Sequence, residues 1–133
     1  MWRRPFVYLP IILIAACSRE IVVPPHAIMG TFGGRGTELI ATPDSVRVKF
    51  VCSFASFRQP IVPEPDGKFS LAPVLMPTST GPAAIAIKGV FTETRIDFEA
   101  VSLSASGEVR QSTHVVHRDQ PGDYSGMGCL ASQ

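Results

Sequence analysis

Charged residues are scarce in this sequence, and neither sign dominates. Lys and Arg number 12 and Asp and Glu number 11 among 133 residues, which gives a formal net charge of +1. The basic residues are scattered along the chain, and aromatic residues make up only 8%. Because a nucleic-acid-binding surface needs clustered Lys and Arg with aromatic side chains for stacking, we expect no nucleic acid partner.

The sequence also lacks the common motifs of hydrolysis and metal binding. Neither Gly-x-Ser-x-Gly nor His-Glu-x-x-His occurs, and the cysteines form no Cys-x-x-Cys pair. The best candidates for a glycosidase-like carboxylate pair are Glu93, Asp97 and Glu99. Asp97 and Glu99 alternate outward on a predicted strand, so a solvated polar face explains them better. We expect a protein that is not an enzyme, with no catalytic residue and no cofactor.

Three other segments were considered as ion-binding sites. His114 and His117 are three residues apart, so on a strand they face opposite sides and cannot reach one metal ion. They are predicted to be partly exposed. Gly33-Gly-Arg-Gly36 lacks the Lys-Ser/Thr of a phosphate-binding loop and is predicted to be a flexible edge or turn. Asp119 and Asp123 lack the regular spacing of a calcium loop. No metal site is predicted.

The one apolar run near the N terminus is too short to span a bilayer as a helix. Arg3 and Arg4 precede it, Phe6 to Ile14 form it, and Ala15 and Ala16 follow it. A positive start, a short apolar stretch and small residues are typical of a secretory signal peptide.

The residues Ile14-Ala15-Ala16-Cys17 resemble the lipobox of bacterial lipoproteins. The resemblance implies that residues 1–16 are a cleaved signal peptide and that Cys17 is the lipid attachment site. An ordinary cleaved signal and an uncleaved anchor helix are the alternatives. Two or three acyl chains, at about 0.8 kcal/mol per buried CH₂, anchor a protein stably, so the membrane is an expected partner. In such lipoproteins a residue like Ser18 is compatible with sorting to the outer membrane, which we expect to be the location, facing the periplasm.

The export route stays open, because Arg3-Arg4 also resembles a twin-arginine signal. Loss of residues 1–16 would leave 10 Lys and Arg against 11 Asp and Glu. Residues 18–27 contain Pro24-Pro25, which disfavours helix and strand, so residues 17–27 are predicted to be a lipidated tether. Residues 28–133 are predicted to form a single β domain that is large enough to fold alone.

With Cys17 carrying lipid, Cys52 and Cys129 remain as an even pair in an oxidising compartment. We expect a disulfide between them, with two separate buried thiols as the alternative. The loop that it closes corresponds to an entropic stabilisation of about 4 to 5 kcal/mol as an upper figure.

From Met29 onward, apolar residues recur at a spacing of two, and Pro or Gly interrupts the chain about every ten residues, which is typical of short strands. Along Ser45–Phe54, even-numbered positions including Cys52 are predicted to point inward, and near the C terminus Val109 and Val115 are predicted to do so. The predicted strands are Thr37–Thr42, Ser45–Phe54, Gln59–Val62, Lys68–Leu75, Ala83–Phe91, Arg95–Leu103 and Glu108–Val116.

The sequence therefore predicts an all-β fold of about seven or eight antiparallel strands. A small up-and-down barrel is favoured because closure hides strand edges in a short chain, and a two-sheet sandwich is the alternative. Whether the interior is filled or open is expected to depend on Phe50, Phe69, Ile85 and Phe98.

The segment Val46–Glu99 resembles small uncharacterised bacterial lipoproteins, a likeness that implies no activity. A weaker resemblance to membrane-bound inhibitors of C-type lysozyme rests on a lipid-anchored barrel, one disulfide and the motif Ser104-Ala-Ser-Gly107, and it implies architecture. The expected function is a lipid-anchored binding or structural module of the envelope, with a protein or glycan as a possible partner. An inhibitor of a lysozyme-like enzyme and a carrier of a small apolar ligand are the alternatives.

Overall fold

The computed structural model describes residues 26–128. The predicted signal peptide, the lipid attachment site Cys17 and the second predicted disulfide cysteine, Cys129, lie outside the described residues. Within residues 26–128, no helix has the length and hydropathy needed to cross a membrane.

Eight antiparallel strands form one sheet that curves into a nearly closed barrel. Every strand pairs with its neighbour in the chain, except at one seam between β4 and β5, and β8 returns to pair with β1. This is the predicted up-and-down barrel, and the sandwich alternative is wrong because the strands share one continuous sheet. The strands are β1 (Gly30–Gly34), β2 (Thr37–Ala41), β3 (Val46–Lys49), β4 (Phe54–Phe57), β5 (Lys68–Thr78), β6 (Gly81–Thr92), β7 (Arg95–Ser104) and β8 (Val109–Arg118).

A side chain bridges the seam between β4 and β5. The amide of Gln59, two residues beyond β4, donates from Nε2 to the carbonyl oxygen of Ser70 (3.2 Å) and accepts from the backbone N–H of Ala72 (2.8 Å). The register of β5 against β6 shifts between Leu71 and Val74, which marks a bulge at this point. Pro73, within the bulge, has no N–H to leave unpaired.

Apolar side chains at alternate positions of all eight strands fill the centre of the barrel. Phe69, Ile85 and Phe98 are buried, and Phe50 packs against them while partly exposed. The fully buried side chains with the largest volume are Phe32, Phe57, Leu39, Ile61, Ile87 and Ile96. The middle of the barrel is therefore a packed core.

The two halves of the barrel differ in height. Strands β1 to β4 have 4 or 5 residues each, whereas β5 to β8 have 10 to 12. The long strands therefore extend past the short ones at the end that carries the β5–β6 and β7–β8 turns. The extension leaves a recess at this end, and β5 to β8 form its one high wall.

Arg118 covers the opposite end of the barrel. Its guanidinium lies 4.8 Å from the ring centre of Phe32 and 5.9 Å from that of Phe91, and it donates to the carbonyl oxygen of Met29 (2.9 Å). The described chain enters the barrel here, because β1 begins at Gly30, beside Arg118. The chain entry and the recess therefore lie at opposite ends.

The long strand predicted over Ser45–Phe54 is wrong, because the segment is a hairpin. β3 ends at Lys49, the chain turns with a hydrogen bond from the N–H of Phe50 to the carbonyl oxygen of Ser53 (2.7 Å), and β4 begins at Phe54. Cys52 lies in the turn and is exposed rather than inward. The inward positions change from even numbers in β3 to odd numbers in β4, and this change of phase marks the turn.

Two other strand predictions also need correction. Gln59–Val62 forms no strand, because Pro60 removes a donor and Gln59 is used at the seam. Val109 and Val115 are 64% and 47% exposed, so they point outward. The register against β7 places the even-numbered residues of β8 inside, since Ile96, an inward residue of β7, pairs with Val116.

In the Gly33–Gly36 segment, predicted to be a flexible edge or turn, Gly36 does lie in the turn after β1. The Gly33-Gly34 pair lies within β1, between β2 and β8, and so is not at an edge. A Cβ atom on Gly33 would overlap the carbonyl oxygens of Gln120 and Pro121, and one on Gly34 would overlap the carbonyl oxygen of Val115. The glycines are required because other backbone passes too close for a side chain.

The segment after β8 crosses the outside of β1 to β3. The N–H of Gly122 donates to Glu38 Oε2 (3.0 Å), and the hydroxyl of Tyr124 donates to the carbonyl oxygen of Lys49 (3.0 Å). Asp123 forms a short parallel bridge with Arg35. These contacts direct the chain toward the β3–β4 turn.

Candidate ligand-binding cup

A cavity of about 890 Å³ occupies the recess at the tall end of the barrel, and we call it the cup. Two smaller depressions, of about 420 and 440 Å³, are lined mostly by outward-facing side chains. The volume of the cup lies in the range of small-molecule sites, about 300–1,000 Å³. Its lining residues are Phe50, Cys52, Ser53, Met76, Thr78, Ser79, Thr80, Ala83, Ile85, Ala100, Ser102, Ser104, Glu108, Arg110, Gln111 and Ser112.

The cup has an apolar floor and polar walls because the inward side chains of β7 change along the strand. Phe98 is part of the core, Ala100 follows it, and Ser102 and Ser104 continue the same face toward the mouth. The register places Ile85 opposite Ser102. Small side chains replace large ones from the core outward, so space opens above a floor that stays apolar.

A histidine behind the cup packs between two aromatic rings and contacts Ser112, which lines the cup. The imidazole of His114 stacks on Phe98 with ring centres 5.0 Å apart and lies 5.2 Å from the ring centre of Phe50. Its Nδ1 is 2.7 Å from Oγ1 of Thr37, and its Nε2 is 2.8 Å from Oγ of Ser112. The contacts join β2 and β8 across β1 and connect the core with the cup.

The hydrogen-bond network assigns the proton positions along this chain of contacts. Thr37 is only 1% exposed, and Nδ1 of His114 is the one partner that the structure gives its hydroxyl group. Because a buried hydroxyl proton needs an acceptor, Thr37 donates to Nδ1, and neutral His114 then carries its proton on Nε2 and donates to Ser112. The hydroxyl proton of Ser112 is left free to point into the cup.

The proton assignment determines how Ser112 can interact with a bound molecule. A serine nucleophile needs a base that accepts its proton, whereas the Nε2 of His114 donates to Ser112. The same arrangement makes Ser112 a hydrogen-bond donor to a bound molecule.

Protonation of His114 should destabilise the fold. Burial lowers the pKa of His114 below its ordinary value of 6.5. The unfolded chain therefore binds a proton near pH 6.5, while the folded protein does so only at lower pH. The free energy of unfolding should be constant above this range and should decrease as the pH falls from 6.5 toward the folded pKa.

Urea unfolding at about pH 8 and pH 5.5 tests this expectation by comparison with His114→Gln, whose amide can bond both neighbours without titrating. The loss of stability on acidification should be smaller in the variant. An equal loss in the two proteins would contradict the assignment, because His26 and His117 are present in both.

The rim of the cup carries one cation and one anion that pair with each other. Nε of Arg110 donates to Glu108 Oε1 at 3.1 Å. The two side chains are more than half exposed, so the pair adds little stability, but it leaves the rim without net charge.

The other residues considered in the sequence lie elsewhere. His117 is exposed on the outer face of β8 while His114 points inward, which agrees with the expectation that they face opposite sides. Asp97 pairs with Arg95 (2.9 Å), and Glu99 accepts from Gln111 (2.5 Å). Both are outside the cup.

Asp119 and Asp123 belong to the segment that crosses β1. The N–H of Asp119 donates to the carbonyl oxygen of Thr31 (2.8 Å), and the N–H of Asp123 donates to that of Gly34 (2.9 Å). Hydrogen bonding by Ser125 lowers the pKa of Asp123. Among residues 26–128, no group of three or more His, Cys, Asp or Glu side chains is placed to hold a metal ion.

Sequence reasoning missed the cup, although one signal for it was present. Ser102 and Ser104 continue the inward alternation of Ile96, Phe98 and Ala100, so polar side chains on a core-facing register marked the point where the barrel opens. The contact between Thr37 and His114 had no such signal, because 77 positions separate the two residues.

Comparison with known proteins found no matching family model, curated protein or solved structure.

Proposed function

We propose that this protein is a lipid-anchored module of the bacterial envelope that binds a ligand in the cup and catalyses no reaction. The observation that supports binding is the cup itself, where an apolar floor meets hydroxyl groups on several strands. Ligand sites commonly combine an apolar surface with a few converging polar groups. The barrel below the floor is packed, which favours a site at the mouth over a carrier with an internal cavity.

The hydrogen bonds of His114 support a role without catalysis. Ser112 can donate its hydroxyl proton in a hydrogen bond to a ligand. In the Thr37–His114–Ser112 series, no side chain is placed to remove that proton from Ser112. The proposal of an inhibitor of a lysozyme-like enzyme rests on the sequence resemblance alone.

The position of the chain entry is consistent with anchoring through Cys17. β1 begins at the end covered by Arg118, and the cup opens at the other end. The segment that would carry the lipid therefore joins the domain at the end opposite the cup.

The anchor is tested by replacing Cys17 with serine. The original protein should partition into the detergent phase of a Triton X-114 separation and the variant into the aqueous phase, because serine cannot form the thioether to lipid. Ser18→Ala is the matched control and should remain in the detergent phase. Aqueous partition of the original protein would contradict anchoring.

A disulfide between Cys52 and Cys129 is part of the proposal. A Cβ atom on Gly36 would lie 3.0 Å from the sulfur of Met127 and 3.3 Å from Cγ2 of Val51, so the residues beside the two cysteines converge at one point. The contact of Tyr124 with Lys49 holds the C-terminal segment against the same hairpin.

Binding in the cup is tested with N-phenyl-1-naphthylamine, an uncharged dye that fluoresces on apolar surfaces. The Cys17→Ser chain, which lacks lipid, is the background. We expect saturable binding that Ser102→Trp weakens at least tenfold, because an indole would occupy the cup above Ile85. Leu103→Trp is the control: the same substitution on the outer face of the same strand should leave dye affinity within twofold. Equal affinity of both variants would reject the cup as the binding site.

A further inference from the structure

The side chains of the cup differ in chemistry with depth. The floor contains Met76, Ala83 and Ala100, which are 7%, 5% and 4% exposed, so an apolar group placed there would be surrounded by side chains without charge. Above them lie Ser102 and Ser104, and the hydroxyl group of Ser104 already bonds Ser106 and the N–H of Glu108 in the β7–β8 turn. A ligand that satisfies both levels has an apolar end and a polar end.

The polar level favours hydroxyl groups over charges. Arg110 and Glu108 pair with each other, so the rim has no net charge that would attract a charged ligand group. Hydroxyl groups of the ligand can both donate and accept, and the hydroxyl group of Ser102 can do the same. The hydroxyl groups of Thr78, Thr80 and Ser104 already form hydrogen bonds within the turns. With His114 donating to its oxygen, Ser112 keeps a hydroxyl proton that it can donate to a ligand.

We propose that the cup binds a small uncharged amphiphile, with its apolar chain on the floor of Met76, Ala83 and Ala100 and its hydroxylated head at the serine wall. The inference rests on the proposed binding function of the cup. It specifies the ligand class, which the binding function alone does not.

Displacement of N-phenyl-1-naphthylamine from the Cys17→Ser chain separates the contributions of chain and head. All amphiphiles are used below their micelle-forming concentrations. Octyl glucoside should displace the dye. Free glucose, which lacks the chain, should not displace it at the same concentration. Octyl sulfate, which has the same chain and a charged head, should need at least a tenfold higher concentration.

Glu108→Gln is the diagnostic variant, because it frees the guanidinium of Arg110 while the amide keeps the shape of the side chain. We expect the preference for octyl glucoside over octyl sulfate to fall at least threefold in this variant. Lys88→Gln, an exposed charge change on the outer face of β6, should leave the preference unchanged.

The outcomes distinguish the two proposals. Dye binding that is insensitive to Ser102→Trp rejects the cup as a binding site. If dye binding does require an open cup, three results overturn the ligand class and leave the binding function standing. These are equal displacement by octyl sulfate and octyl glucoside, displacement by glucose, and no displacement by any of the three compounds.

Discussion

Replacing Gly34 with alanine is expected to lower the free energy of unfolding by about 3 kcal/mol. The added methyl group would overlap the carbonyl oxygen of Val115, and it would lie 3.5 Å from Cα of Val116. These atoms belong to the backbone of β8, so relief requires two central strands to separate. A flexible side chain could move aside at little cost, but a paired strand cannot.

Gly128→Ala provides the matched control for this prediction. A Cβ atom at Gly128 would meet no atom of residues 26–128 within 4 Å, so its effect should be within about 0.5 kcal/mol. Urea denaturation of both variants measures the difference. A change below 1 kcal/mol in Gly34→Ala would show that β1 and β8 are less closely packed than the structure indicates.

Replacing Cys52 with serine is expected to lower the free energy of unfolding by about 4 kcal/mol if the proposed disulfide to Cys129 is present. The cysteine lies in an exposed turn, so the loss of packing should be small and the effect should come mainly from the longer unrestrained chain. Cys17→Ser removes the site of the proposed lipid and leaves Cys52 and Cys129 as the only cysteines to be counted.

The reduced protein provides the control for the disulfide. In the Cys17→Ser background, the parent and the Cys52→Ser variant should have nearly equal stability in dithiothreitol and differ only under oxidising conditions. A thiol assay on the unfolded, unreduced parent should find no free thiol. Two free thiols, or stability unaffected by reduction, would rule out the bond.

The predicted strands Ala83–Phe91 and Arg95–Leu103 are confirmed as β6 and β7, with the correct inward faces. The reason is that Ile85 and Ile87 on β6, and Ile96 and Phe98 on β7, alternate without exception. The prediction failed at Ser45–Phe54 because apolar residues continue at even positions through the turn. Phe54 is 43% exposed and packs its ring under Arg47 (4.7 Å) instead of entering the core.

The candidate site was less accessible to prediction than the fold. The faces of β8 were predicted in reverse, because Val109 and Val115 are more apolar than the inward Ser112 and His114. Apolar residues mark the inward face of a strand only where other side chains pack against that face. Because β8 extends past the shorter strands, part of its inward face lines the cup instead. The residues that define the site are therefore the ones that the hydrophobic pattern assigns to solvent.

The alternation of apolar and polar residues, punctuated by glycine and proline, was by itself sufficient to determine an all-β chain and the sequential order of its strands. Tertiary structure decided the unequal heights of the two halves, the open end of the barrel and the placement of His114 between Phe50 and Phe98. The reason is the range of the interactions. Period and turn chemistry act between near neighbours, whereas register around a barrel brings together residues such as Thr37 and His114, which local sequence does not relate.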